Sequence, residues 1–62
     1  MGSTAKLVEL YVEYEGPVTI DDVARELGIR KLTIYPVSVN LVNAGRIDRD
    51  GQTLYSASGK EN

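Results

Sequence analysis

The chain has no cysteine and no histidine. Disulfides are excluded, and so are the usual structural zinc sites, which need thiolate or imidazole ligands. The common nucleophile–base pairs cannot be built either, so the sequence does not read as an enzyme. No apolar run approaches the length that spans a bilayer. The N-terminus lacks the apolar h-region of a signal peptide. Met1-Gly2 begins like a myristoylation signal, but Lys6 stands where that signal needs Ser or Thr. There is no glycine-rich phosphate loop: Gly16, Gly28, Gly45 and Gly51 each sit where a cap or turn is wanted. Internal repeats and low-complexity stretches are absent. The simplest reading is a cytoplasmic protein with no cofactor, no small-molecule substrate and no membrane partner.

What is present fits one small domain. A chain of 62 residues buries only about 60% of its unfolded surface. The stretch from Val18 to Ile47, VTIDDVARELGIRKLTIYPVSVNLVNAGRI, organises it. Thr19 is placed as an N-cap, with Asp22 completing a capping box and Val18 and Val23 at the positions of a hydrophobic staple. Val23, Ala24 and Leu27 form the apolar stripe of this helix. Gly28 follows where a left-handed residue is wanted, and Ile29 can fold back on Ala24 or Val23. A further stripe at Ile34, Val37 or Ser38, and Leu41 marks the next helix, closed by Gly45. Pro36 lies inside it. With Thr33 as N-cap, Pro36 falls in the tolerated first turn; with a start near Arg30, it must bend the helix. A short or kinked helix from Lys31 or Thr33 to Ala44 is expected.

Upstream, Ser3 or Thr4 caps a first helix running to about Glu15, stopped by Gly16-Pro17. Leu7, Leu10, Tyr11 and Tyr14 recur at helical spacing and are expected to face the core, with Lys6, Glu9 and Glu13 opposite. Ala5, Val8 and Val12 widen the apolar arc and pack under a C-terminal hairpin or its last strand, or else meet a second copy. Downstream, Asp50-Gly51 is a type I′ hairpin signal. It predicts strands Arg46–Arg49 and Gln52–Ala57, with Ile47 opposite Leu54 on the core face and Arg46 opposite Tyr55 on the outer face, where the two stack. Val18-Thr19 adds a third strand. Met1-Gly2-Ser3 reads as a cloning scar or N-terminal arm, residues 4–57 as the domain, and residues 58–62 as a flexible tail. The fold class is therefore small α+β: three helices, a short first strand and a two-stranded C-terminal hairpin.

Net charge is −2, which argues weakly against nucleic acid, but the charge is unevenly spread. Leu7 to Gly28 holds six acidic residues against Arg25, net −5. Ile29 to Arg49 holds Arg30, Lys31, Arg46 and Arg49 against Asp48, net +3. The positive half is where a phosphate backbone would lie; the bland reading is a solvated surface with no partner. Asp22 and Glu26, four apart on one face, are a formal pair for a hard cation, but such a pair is more often solvated, and Asp22 is already used in capping.

The segment ELGIRKLTIYPVSVNLVNAGRI resembles the helix-turn-helix core of winged-helix DNA-binding proteins of the bacterial, archaeal and phage transcription-regulator type. Leu27, Gly28, Ile29, Thr33, Ile34, Tyr35, Leu41, Ala44, Gly45 and Ile47 match its pattern in register. The resemblance implies a DNA-binding module of a transcriptional regulator or a nucleoid-type protein, contacting double-stranded DNA through the third helix and the wing. On this chain the carriers are Arg30, Lys31, Arg46 and Arg49 for phosphates, Thr33 and Tyr35 as neutral donors, and Asn40 for adenine or a groove edge. The left-handed-DNA binders are a poor match, because their key Asn and Tyr align with Tyr35 and Val39. From Leu32 to Gly45 there is no charged residue. That surface suits a protein groove as well as a duplex, so a protein-interaction module, or a homodimer, is the alternative.

Overall fold

Local signals at chain level set the element boundaries. The computed structural model describes residues 3–57; the expectations for Met1-Gly2 and for the tail at 58–62 lie outside them. Helix α1 (Ser3–Glu15) is followed by strand β1 (Val18–Thr19), helices α2 (Ile20–Leu27) and α3 (Lys31–Asn43), and strands β2 (Ile47–Asp50) and β3 (Thr53–Ser56). This is the small α+β architecture expected from the sequence, in the order of a winged helix.

The ends of α2 follow the capping signals closely. Asp22 N–H donates to Thr19 Oγ1 at 3.1 Å, and Thr19 N–H donates to Asp22 Oδ2 at 3.4 Å, a reciprocal box. At the other end Gly28 takes φ 67°, and Ile29 N–H donates back to the Ala24 carbonyl at 3.0 Å. The same device closes α3, where Gly45 takes φ 75° and Arg46 N–H reaches the Leu41 carbonyl at 2.9 Å. Helix α3 starts at Lys31, with Arg30 as its N-cap, and runs on through Pro36. Pro36 has no N–H for the Leu32 carbonyl, but Leu32 is exposed, so water can serve it. Ser38 is buried and turns its hydroxyl onto the Tyr35 carbonyl at 2.8 Å, which satisfies it inside the core.

The sheet is antiparallel with order β1-β3-β2. Val18 lies opposite Leu54, and Ile20 N–H extends the ladder to the Gln52 carbonyl at 2.9 Å. The wing register differs from the expected one. Asp50 pairs with Thr53, Arg49 with Leu54, Asp48 with Tyr55 and Ile47 with Ser56. The two-residue loop is therefore Gly51-Gln52, one step later than Asp50-Gly51. Gly51 has φ 65°, whereas Gln52 is not left-handed. A glycine in that conformation at the first loop position is the type II′ arrangement, equally well matched to strand twist. Ile47 and Leu54 are both buried and become diagonal neighbours on the core face. Arg46 and Tyr55 are not opposite each other, and the expected stack is replaced by an ion pair to α1.

The face of α1 is the larger correction. Val8 and Val12 are fully buried, with Ala5 and Tyr11 packed at the margin. Leu7, Leu10 and Tyr14, expected in the core, are 50%, 38% and 82% exposed. The helix is apolar around most of its circumference, and a domain this small has room for one side only. Small side chains let α1 approach closely, and the exit of the helix fixes its rotation. A Cβ on Gly16 would fall 2.5 Å from the Val12 carbonyl oxygen and 3.4 Å from that of Leu54, so the chain leaves α1 tight against β3. The remaining core, Ile20, Val23, Ile34 and Leu41 with Ile47 and Leu54, lies between the three helices and the sheet. No helix among the described residues is long and apolar enough to cross a membrane.

Candidate nucleic-acid interface

Helix α3 buries Ile34, Ser38 and Leu41, three or four residues apart. At 100° per residue the opposite side is Leu32, Pro36, Val39 and Asn43, all exposed. Tyr35 stands on the flank nearest the wing. Its hydroxyl donates to Gln52 Oε1 at 2.9 Å, tying the first half of α3 to the wing loop. Arg49 shares the core-side face of the wing with Ile47 but lies beyond the edge of the core. There it lines a shallow cleft of about 250 Å³ with Val39, Val42 and Asn43. Helix α3 and the wing thus form one continuous outer surface.

The four cations expected to meet phosphate divide into two pairs. Arg30, at the start of α3, and Arg49, on the wing, make no ion pair among the described residues. Lys31 is engaged: its Nζ is 2.7 Å from Asp21 Oδ1. That hydrogen bond and charge hold the Lys31 ammonium above its usual pKa and the Asp21 carboxyl below its own. Both groups are exposed, so the pair is screened by salt and exchanges partners readily. Arg46 is engaged more deeply, with Nη1 3.3 Å from Glu9 Oε2. Glu9, expected on the solvent side of α1, is buried, and Arg46 is its counter-ion. A carboxylate out of water needs such a partner.

Asn40 lies on the α1 side of α3. With Thr4, Ala5, Val37, Ala44 and Arg46 it lines an open groove of about 580 Å³ between the start of α1 and the end of α3. Thr33 is exposed on the same side of α3. The residues named from the sequence therefore fall on two surfaces. Arg30, Tyr35 and Arg49 belong to the α3–wing face, and Asn40 and Arg46 to the groove against α1. Gln52 and Val39 join the first surface; the resemblance places Val39 at an outward position of the third helix, and it does not mark Gln52. A loop centred on Gly51-Gln52 is the signal that brings Gln52 to the wing tip. No group of three or more acidic side chains among the described residues is arranged to hold a metal ion.

Comparison with protein-family models, with curated proteins and with solved structures found no match to this chain.

Proposed function

We propose that this chain is a winged-helix DNA-binding module, of the kind found in transcriptional regulators or nucleoid-type proteins, in a cytoplasmic or nucleoid-associated setting. The supporting observation is the α3–wing surface, linked by the Tyr35–Gln52 hydrogen bond and bounded by Arg30 and Arg49, which make no ion pair among the described residues. Arg30 and Arg49 take phosphates. Lys31 joins them by exchanging Asp21 for a phosphate oxygen. Tyr35 and Asn43 offer neutral hydrogen bonds to the groove, and the Val39 methyls can meet a thymine methyl. Thr33 and Asn40 reach the groove edge on the α1 side. Arg46 stays with Glu9 and supports the fold.

Two or three phosphate contacts imply modest affinity. The logarithm of the binding constant should fall with the logarithm of salt at a slope of about −2 to −3. Titration of mixed duplex DNA at several salt concentrations checks this, and Arg49→Ala should reduce the slope by about one. A slope near zero counts against the reading.

One observation favours a second reading, a protein groove. Leu32 and Val39, on one uncharged face of α3, are 82% and 45% exposed. On that reading Val39→Ala would weaken binding to the partner, Arg49→Ala would change little, and salt would have a weak effect.

A further inference from the structure

The outward face of α1 carries Leu7, Leu10 and Tyr14, spaced three and four residues apart and directly opposite the buried Val8 and Val12. Among the described residues these three side chains stay 50%, 38% and 82% exposed. The stripe lines one side of a helix of 13 residues, about 20 Å long. Lys6 and Glu13 share one flank of the stripe, both exposed and neither in an ion pair among the described residues. Residues 6 and 13 are seven apart, so they point the same way from opposite ends of the helix.

We propose that this face is a self-association surface, on which α1 of a second copy packs antiparallel about a two-fold axis near Leu10. The occupant is fixed by charge and by spacing. In a two-fold antiparallel pair, like flanks face each other and sequence positions run in reverse. With Leu10 on Leu10 of the second copy, Leu7 comes within one residue step, about 1.5 Å along the axis, of the other Tyr14. Lys6 comes equally near the other Glu13, and the symmetry makes this pair twice. In a parallel two-fold pair opposite flanks face each other, so Lys6 and Glu13 would meet no opposite charge at their own level. The surface is therefore complementary to itself in one orientation. Leucine and tyrosine at the centre with charges at the rim is the composition of a protein interface. One helix face is small for such an interface, so the dimer is weak and shows at high protein concentration. This inference is independent of the DNA-binding reading, and its test uses no DNA.

Sedimentation equilibrium of the full chain from about 10 μM to 1 mM should show a monomer–dimer equilibrium. Tyr14→Lys alters an exposed residue, so the chain still folds, and it should weaken association at least tenfold. Lys6→Glu and Glu13→Lys should each weaken it several-fold by placing like charges together. The double exchange, Lys6→Glu with Glu13→Lys, should restore it, because the pairing is reversed but preserved. A monomer at 1 mM overturns the proposal and leaves the face to a different partner. A dimer indifferent to Tyr14→Lys, or a double exchange that fails to recover, also overturns it.

Discussion

Helix α1 ends, and α2 begins and ends, where their sequences indicate, although Ser3 and Thr4, expected to cap α1, lie within it; only α2 shows which side it buries. Helix α2 is clearly two-sided. Ile20 and Val23 are buried, whereas Asp21, Arg25 and Glu26 are exposed. Its caps fix its ends, and its polarity fixes its rotation. Helix α1 is apolar on both sides, with Val8 and Val12 inside and Leu7, Leu10 and Tyr14 outside. When apolar residues exceed what a small core can take, periodicity does not choose among them. The backbone at the helix exit does, here through Gly16 against Val12 and β3. The surplus becomes surface, and contiguous apolar surface marks interaction.

The largest expected effect separates the two faces of α1. Val12→Asp places an unpaired carboxylate in the core and should abolish folding. Tyr14→Asp, two positions on, should change monomer stability by no more than about 0.5 kcal/mol. Thermal melts of both variants by circular dichroism check this, and equal losses would mean that α1 has no single buried face. Next comes the device that sets its rotation. Gly16→Ala forces a methyl onto the Val12 carbonyl, and urea titration should show a loss of about 1–3 kcal/mol. On the α2 side, Thr19→Ala removes one half of the capping box and should cost about 1 kcal/mol by the same titration.

The smallest effect concerns the acidic flank of α2. Asp21 has a depressed pKa, caused first by the Lys31 hydrogen bond. Its contribution is therefore present above the ordinary carboxylate pKa of about 3.9 and is lost as pH falls through the lower folded value. An NMR titration of the Asp21 carboxyl should give a midpoint below 3.9, and Lys31→Gln should return it toward 3.9. A midpoint unmoved by that substitution would remove the ion pair from the account.

The punctuation of the fold was legible from side-chain chemistry alone. Thr19 with Asp22, Gly28 with Ile29, and Gly45 are local devices whose partners lie within a few residues, so their physics is contained in the sequence. What depends on distant partners was not legible. Asp50-Gly51 and Gly51-Gln52 both contain the glycine that a hairpin needs, and only pairing with β1 through Leu54 and Thr53 decides between them. Glu9 looked solvated because its counter-ion is 37 residues away. Arg46 looked available for phosphate for the same reason. Of the candidate site, Arg30, Tyr35 and Arg49 were recoverable from the resemblance and the charge split. Gln52 was not, because its role follows from the loop register.

The α3–wing surface is the centre of the functional account, and one measurement tests it most directly. Backbone amide shifts are followed as a duplex of about 12–16 base pairs, more than one helical turn, is added at low salt. The account predicts shifts gathered on residues 30–43 and on the wing around Arg49 and Gln52, with α2's acidic flank little changed apart from Asp21. An absence of shifts at high micromolar protein and DNA would contradict it, because even non-specific binding should register at about 10⁻⁴ to 10⁻⁶ M.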